Sequence, residues 1–264
     1  MYGTNHAAVY GKEKFKGNLK MKRALIVGGA NGIGLSIATE LSKRNDVEVV
    51  NIVDKSPVAE EFTQAKFRSF VFDLTSDDYS IFDQFQDVDT LMITAGFGRL
   101  SLFKDVSEKH IVDSFNVNTL PVLRIIKRFY NQIETMDDFY CGVMVSISGF
   151  MTSPFFSVYA ATKAALKIFI ESVNVELIKA GSKNKILNVS PGSLKGTSFT
   201  NGKTDLSVTS PMAQAIIEHL ERKDDLFIPQ YEEIFKNVLA RYQADFRAEG
   251  IHSYEYKVNS GRVK

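Results

Sequence analysis

One tyrosine and one lysine are spaced so that they could share a proton-transfer reaction. Tyr159 and Lys163 close the run Tyr-Ala-Ala-Thr-Lys, and side chains four residues apart project from the same face of a helix. A tyrosine with its ordinary pKa of about 10 is a weak base at neutral pH, but a nearby ammonium group favours the phenolate. The pair therefore predicts proton transfer to or from a substrate oxygen.

The same spacing also arises without meaning, because Tyr10 and Lys14 are four residues apart as well. Context distinguishes the two pairs. The pair at Tyr159 follows a predicted strand, begins a helix of small residues and lies thirteen residues after Ser146. We therefore take Tyr159 and Lys163 as the candidate catalytic pair.

A glycine-rich turn follows the first predicted strand and leads into a helical pattern. It reads Gly28-Gly29-Ala30-Asn31-Gly32-Ile33-Gly34. Glycine suits a sharp turn, a close approach of the backbone to a pyrophosphate, and tight packing of a helix on a strand, while the helix N-terminus offers N–H groups to the anion. The turn predicts a dinucleotide site formed by Gly28, Asn31, Gly32, Ile33 and Gly34.

An acidic residue ends the second predicted strand, twenty residues past Gly34. Asp54 there can accept hydrogen bonds from the adenosine ribose and would repel a 2′-phosphate. NAD is thus predicted rather than NADP, although Lys55 directly after it would soften the repulsion. A solvated turn aspartate is the alternative interpretation of Asp54.

Composition and charge indicate an ordinary globular protein with a small-molecule ligand. The 264 residues are 44% hydrophobic and 24% charged, and 32 basic against 31 acidic residues leave a formal charge of +1. This balance gives no reason to expect nucleic acid or an anionic membrane as a partner. The single Cys141 excludes an intramolecular disulfide, no metal site is predicted, and a reducing cytoplasm is the expected location. The uncharged stretch from Phe139 to Thr162 contains glycine and proline, so no transmembrane segment is predicted.

Short β-branched runs alternate with longer helical patterns, which predicts an α/β fold with a doubly wound parallel sheet of about seven strands. The predicted strands are Arg23–Gly28, Val47–Val53, Phe67–Phe72, Thr90–Ala95, Gly142–Ser146, Lys185–Val189 and Leu226–Ile228. The predicted helices are Gly32–Arg44, Thr75–Phe85, Ser107–Ile133, Phe155–Ala180, Met212–Arg222 and Tyr231–Ala248. Residues 21–264 are expected to form one domain behind a flexible extension, residues 1–20. Ser193–Ser210 is expected to be a long loop, either a lid or a passive surface loop.

The Gly-x-x-x-Gly-x-Gly turn and the Tyr-x-x-x-Lys pair resemble the short-chain dehydrogenase/reductase family, in its compact single-domain branch, from about residue 22 to 229. The resemblance implies a Rossmann-like three-layer sandwich. It implies that Lys163 also holds the nicotinamide ribose and that Ser146 orients the substrate oxygen, with Ser148 in reserve. It further implies a water relay through a helix asparagine, for which Asn118 is preferred to Asn116. Pro121 just beyond predicts a kink there.

Further cofactor positions follow from the same resemblance. Asp73 and Leu74 match residues at the adenine ring, Ala95 and Gly96 match the end of the fourth strand, and Pro191, Gly192 and Thr197 match residues beside the nicotinamide. Asp73 would equally suit a cap near a helix N-terminus. The sequence departs from the family at Val27, where a threonine hydroxyl usually braces the turn, and at Thr94, which replaces an asparagine. Thr197 stands one residue further along the chain than the corresponding threonine of the family, and Gly196 occupies the usual position.

The expected activity is hydride transfer between NAD(H) and a carbonyl or secondary alcohol, with Tyr159 as the general acid or base. The alternative is a regulatory protein that binds the nucleotide with little catalysis. An apolar substrate wall is expected near the pocket, formed by Phe97, Phe150, Met151, Phe155 and Phe156. The family implies a homodimer or homotetramer. The last residues, Ile251–Lys264, are expected to cover either the pocket or a neighbouring subunit.

Overall fold

The computed structural model describes residues 21–135, 138–197, 199 and 203–263. The predicted extension, residues 1–20, lies outside the described residues.

A seven-stranded parallel sheet forms the centre of the fold, in the order β3-β2-β1-β4-β5-β6-β7. The strands are β1 Arg23–Val27, β2 Val49–Asp54, β3 Phe67–Val71, β4 Thr90–Ile93, β5 Tyr140–Met144, β6 Ile186–Val189 and β7 Leu226–Phe227. The helices are α1 Gly32–Ser42, α2 Glu108–Asn118, α3 Leu120–Arg128, α4 Tyr130–Glu134, α5 Ser157–Lys179, α6 Leu206–Glu221, α7 Lys236–Ala244 and α8 Phe246–Asn259. The Rossmann-like architecture expected from the sequence is therefore confirmed.

Helices cover both faces of the sheet, because successive residues of a strand point to opposite sides. On β1, Leu25 and Val27 pack with α3 and α5 on one face. Ala24 and Ile26 pack with α1 and α6 on the other. Both faces are apolar, which explains why the strands read as continuous hydrophobic runs rather than as alternating ones.

The strand order reverses between β1 and β4, and this reversal positions the functional site. The chain leaves β1 toward β2 on one side, whereas β4, on the other side of β1, continues toward β5. Such a reversal opens a crevice at the carboxyl ends of the strands, where ligands of open α/β sheets bind. The glycine turn follows β1 into this crevice.

Two predicted helices differ from the observed ones. Thr75–Phe85 contains only a 3₁₀ segment, Ser80–Phe85, because Asp73 and Asp78 accept hydrogen bonds from the Thr75 and Ser80 amides and hold turns instead. Ser107–Ile133 is divided into α2, α3 and α4. The first break, at Thr119, directly precedes the first turn of α3, where Pro121 is tolerated because that turn needs no N–H donor within the helix.

The C-terminal third also differs from the prediction. Helix α6 begins at Leu206 rather than Met212, since Asp205 caps it by accepting from the Ser207 amide. The end of the predicted loop Ser193–Ser210, residues 206–210, is therefore helical, while residues 198 and 200–202 within it lie outside the described residues. Tyr231–Ala248 consists of a π-helical turn, Tyr231–Phe235, followed by α7 and the start of α8. Across the described ranges, no helix combines the length and the apolar character needed to cross a bilayer.

Candidate active site

The glycine turn is held tightly against the end of β4. Gly28 has a φ of +83°, and a Cβ there would lie 2.4 Å from the Ala95 backbone nitrogen. A Cβ on Gly34 would lie 2.3 Å from the Gly28 carbonyl oxygen. Both approaches exclude any side chain, and the first turn of α1, with its N–H groups, opens toward the crevice.

A hydroxyl group braces this turn, but it comes from β4 rather than from β1. Thr94 Oγ1 donates toward the carbonyl oxygens of Gly28, at 2.8 Å, and Val27, at 3.1 Å. The two departures from the family pattern, at Val27 and at Thr94, thus compensate for each other. Val27 lacks the expected hydroxyl, and Thr94 provides one from the neighbouring strand.

Replacing Thr94 by valine should lower the free energy of unfolding by about 1–2 kcal/mol, because the hydrogen bonds to the turn are lost at nearly constant volume. Thr39 is a matched control, since its buried hydroxyl has no hydrogen-bond partner among the described residues. Thr39→Val should be neutral or stabilising. Urea unfolding of both variants checks the difference; equal effects would contradict the bracing role.

Side chains from other segments accept hydrogen bonds from two backbone amides of the turn. Asp54 Oδ2 accepts from the Ala30 amide at 3.0 Å, so part of this carboxylate supports the turn. The Gly32 amide donates to Thr204 Oγ1 at 2.9 Å, a contact between residues 172 positions apart. No local sequence pattern predicts that Thr204 contacts the turn, because the contact depends on how the segment before α6 packs near the start of α1.

Asp73 and Leu74 lie on the segment that follows β3. Asp73 is exposed, and its Oδ1 accepts from both the amide and the hydroxyl of Thr75 at 2.8 Å. These hydrogen bonds lower the pKa of Asp73. The Leu74 carbonyl accepts from the Tyr79 hydroxyl at 2.6 Å. Asp73 therefore holds a turn within its own segment, and no helix for it to cap begins there among the described residues.

Four side chains predicted to act together meet at the carboxyl ends of β4 and β5. Tyr159 and Lys163 lie on α5, with the Lys163 ammonium 5.7 Å from the Tyr159 ring centroid. A Cβ on Gly96 would be 3.4 Å from Lys163 Nζ and 3.3 Å from Asn118 Oδ1, so Gly96 leaves room where these groups converge. Ser146 faces the same cavity as Tyr159.

The turn after β5 explains the spacing of Ser146 and Gly149. Ser146 Oγ accepts from the Ser148 amide at 3.1 Å and so starts a 3₁₀ turn. A Cβ on Gly149 would lie 2.8 Å from the backbone of Lys163. Glycine therefore lets this turn pack directly on α5, which brings the Ser146 hydroxyl within hydrogen-bonding reach of Tyr159. Ser148, the reserve candidate, also lines the cavity.

Asn118 ends α2 and is fully buried. Its amide brackets the backbone of Phe97: Oδ1 accepts from the Phe97 amide at 2.9 Å, and Nδ2 donates to the Phe97 carbonyl at 2.8 Å. Nδ2 also approaches Thr162 Oγ1 at 3.3 Å. It is Asn118, rather than Asn116, whose amide reaches Gly96.

Burial sets the protonation of the central pair. It raises the pKa of Tyr159 to about 12, against the opposing effect of the Ser146 hydrogen bond. It also lowers the pKa of Lys163 to about 7, while Lys163 Nζ donates to the Met144 carbonyl at 2.9 Å. The raised pKa of Tyr159 is opposite to the activated phenolate expected from the sequence, because burial removes the water that would stabilise its charged form.

A cavity of about 560 Å³ extends from the glycine turn to the side chains of Ser146 and Tyr159. Pro191, Gly192 and Thr197 line it, as do Met151 and Phe156 from the expected apolar wall. The other members of that wall pack elsewhere: Phe97 against His110, Phe150 beside Lys167 and Phe155 against Tyr254. Phe199, which the sequence did not single out, lies 5.3 Å from the Tyr159 ring, centroid to centroid.

The C-terminal helices form the remaining wall of the cavity. Side chains of α7, α8 and the residues after them line it: Val238, Arg241, Glu249, His252, Ser253, Tyr256, Lys257 and Arg262. Helix α8 packs on the segment between β5 and α5, where Tyr254 stacks on Phe155 with centroids 4.6 Å apart. Of the two alternatives for Ile251–Lys264, its described part therefore covers the pocket.

Comparison with known proteins settles the family. The family model described as short chain dehydrogenase matches residues 22–206. The chain belongs to the short-chain dehydrogenase/reductase family. An uncharacterized oxidoreductase of Saccharomyces cerevisiae is 26% identical over 225 residues, covering 76% of this chain and 71% of the relative. The ketoacyl reductase HetN of Nostoc is 25% identical and covers 92% of this chain and 94% of its own length.

Solved structures share the fold of this family member. A short-chain dehydrogenase/reductase from Burkholderia phymatum, in complex with NAD, aligns with a TM-score of 0.73 at 15% identity, covering 88% of this chain and 96% of that one. An alcohol dehydrogenase from Thermococcus sibiricus, complexed with 5-hydroxy-NADP, aligns with a TM-score of 0.66 at 20% identity, covering 79% and 95%. The two structures contain different nicotinamide nucleotides, so they leave the choice between NAD and NADP open.

Proposed function

We propose that this protein is an NAD(H)-dependent oxidoreductase that reduces the carbonyl group of a small molecule. The convergence of Tyr159, Ser146, Lys163 and Asn118 beside Gly96, at the end of a cavity that begins at the glycine turn, carries this proposal. The family, an oxidoreductase family, supports the reaction class.

The residues around the cavity fit a dinucleotide. The contacts that exclude a side chain at Gly28 and Gly34 leave a backbone cradle of the kind a pyrophosphate needs. We assign cofactor binding to Gly28, Asn31, Gly32, Ile33, Gly34, Asp54, Asp73, Leu74, Ala95, Gly96, Tyr159, Lys163, Pro191, Gly192 and Thr197. When bound, the nicotinamide ring supplies or accepts the hydride.

The protonation of Tyr159 suits the role of proton donor in a carbonyl reduction. With a pKa of about 12, Tyr159 keeps its proton at neutral pH and can donate it to the substrate oxygen as charge develops there. Ser146 holds the same oxygen by a hydrogen bond. Lys163, with a pKa near 7, exchanges protons readily at neutral pH and returns one toward Tyr159. Asn118 positions Phe97 and Gly96 around this path.

Asp54→Asn should lower the preference for NADH over NADPH about tenfold, because it removes the charge that repels a 2′-phosphate. Asparagine keeps an oxygen for the Ala30 amide, so the turn is preserved. The exposed Asp77 provides the control: Asp77→Asn removes the same charge on the segment after β3 and should leave the preference unchanged. The ratio of the two dissociation constants is the measurement, and an unchanged ratio in Asp54→Asn would show that this carboxylate only supports the turn.

The first test of the function is thermal unfolding with saturating NAD(H) and, separately, NADP(H). Ligand at 100 times its dissociation constant should add about 2.7 kcal/mol of stability. A shift with NAD(H), followed by NADH oxidation on addition of a carbonyl compound, is the expected result. Binding without turnover of any carbonyl compound would favour the regulatory alternative, and the absence of any shift would remove the dinucleotide site.

We also propose an oligomeric state for this protein. Exposed apolar side chains on α5, namely Ile168, Val175 and Ile178, support a homodimer or homotetramer. A single domain over residues 21–264 and a cytoplasmic location stay predictions as well.

A further inference from the structure

Among the described residues that line the cavity beneath α8, cationic groups outnumber carboxylates. The charged groups that line it are Arg241, Glu249, Lys257 and Arg262, together with His252. Arg241 Nε binds Glu249 Oε2 at 2.6 Å, and His252 lies 3.8 Å from the same carboxylate, so this acid is already paired. Within the described ranges, neither Lys257 nor Arg262 has a carboxylate partner within 4.0 Å.

Lys257 is buried, with 8% of its surface exposed. Its ammonium donates to the Pro154 carbonyl at 2.9 Å and to the hydroxyls of Ser153 and Ser253 at 3.2 Å each, and all three partners are neutral. Burial, and to a smaller extent the Arg262 cation, lower the pKa of Lys257 to about 8. A buried cation without a counter-ion is costly, and a bound anion would offset that cost.

The position of this charge relates it to the substrate rather than to the cofactor phosphates. The Phe156 ring lies near both this charge and the candidate catalytic tyrosine: its centroid is 5.8 Å from Lys257 Nζ and 5.4 Å from the Tyr159 ring centroid. The contacts of Lys257 all lie on α8 and on the segment between β5 and α5. The glycine turn instead contacts Ala95, Thr94 and Thr204.

We propose that the substrates of this protein are carbonyl compounds that carry a carboxylate, with an apolar segment between the two groups. The Lys257 ammonium exchanges one of its 3.2 Å hydrogen bonds to a serine hydroxyl for the carboxylate, which Arg262 binds as well. The apolar segment packs on Phe156, and the carbonyl oxygen lies at Tyr159. This inference rests on the proposed reductase function. It goes beyond it by naming a substrate class and two specificity residues on the C-terminal helix region.

Lys257 also connects α8 to the Ser153–Phe156 segment, so the test must separate charge recognition from support of the fold. Straight-chain methyl ketones that end in a carboxylate are compared with their methyl esters, over increasing chain lengths, as substrates with NADH. For the preferred length, kcat/KM should be about tenfold higher for the acid than for the ester. In Lys257→Met this ratio should fall to about three, the share that Arg262 still contributes, and Lys257→Arg should restore most of it.

Support of the fold would give a different result, since a structural defect lowers kcat/KM for acid and ester alike. An unchanged ratio in Lys257→Met would overturn the proposal. Arg262→Gln provides a second variant, because Arg262 is exposed and its side chain stacks only on Tyr256 among the contacts described. It should lower the ratio about threefold. Lys109→Met, which removes an exposed lysine of α2, is the control and should keep the wild-type ratio.

A binding measurement keeps this inference separate from the proposed function. Calorimetry with the NADH complex compares hexanoate with hexanamide, which differ in charge but hardly in size. Hexanoate should bind about tenfold more tightly than hexanamide to wild type, and only about threefold more tightly to Lys257→Met, which keeps Arg262. If no ketone is reduced but this difference is present, the anion site stands while the proposed reaction fails. Equal binding of both probes by wild type would overturn the anion site even in an active reductase.

Discussion

Tyr159→Phe should lower kcat by about 10²–10⁴-fold while NADH binding and thermal stability stay close to those of wild type. The substitution removes only the hydroxyl that donates the proton. The phenylalanine ring keeps the packing against Phe156 and Phe199, whose centroids lie 5.4 and 5.3 Å from the Tyr159 ring. The rate of NADH oxidation with the best carbonyl substrate, together with an NADH titration, measures both effects.

The matched control for this variant is Tyr242→Phe, which removes a tyrosine hydroxyl from α7 and should leave kcat unchanged. A Tyr159→Phe variant that binds NADH and retains wild-type turnover would contradict the assignment of Tyr159 as the general acid. Loss of both NADH binding and stability would instead indicate a structural role for the hydroxyl.

Gly28→Ala should destabilise the protein by several kcal/mol and abolish the thermal shift caused by NAD(H). An alanine at this φ costs about 1 kcal/mol by itself. At Gly28 its Cβ would also lie 2.4 Å from the Ala95 nitrogen, so either the turn or the end of β4 must move. Because that turn forms the proposed cradle for the pyrophosphate, cofactor binding should be lost together with stability.

Gly181 offers a control for the backbone strain alone. It has the same φ of +83°, but a Cβ there would meet no atom within 4 Å. Gly181→Ala should therefore cost about 1 kcal/mol and keep the NAD(H) shift. Chemical unfolding and thermal shifts of the two variants give the comparison. Equal destabilisation with the cofactor shift retained in both would contradict the close approach of the turn to β4.

Much of the sheet and of the central site could be predicted because the signals are local. The strand–turn–helix around Gly28 and the four-residue spacing of Tyr159 and Lys163 are legible along the chain, and parallel strands bring their carboxyl ends to one edge. The observed bounds of β2 and β5 differ from the predicted ones by only one or two residues. Local hydrogen bonds from side chains are harder to predict. Asp73 and Asp78 accept from nearby backbone amides and hold turns where the sequence predicted a helix.

The parts that sequence reasoning missed depend on contacts between distant segments. Thr204 reaches Gly32 across 172 residues, and Lys257 reaches Ser153 across 104. Neither residue stands in a recognisable motif. The raised pKa of Tyr159 also differs from the sequence prediction, because spacing indicates that Tyr159 and Lys163 are neighbours but not how much water each loses.

The most direct test of the proposed function follows the hydride itself. NADH deuterated at the transferable position is incubated with the protein and the carbonyl panel, and the alcohol products are analysed by mass spectrometry. We expect deuterium on the carbinol carbon with wild type, and transfer about 10²–10⁴-fold slower with Tyr159→Phe at matched NADH occupancy. Bound NADH without deuterium transfer to any carbonyl compound by wild type would contradict the assignment as a reductase and leave a nucleotide-binding protein of this family.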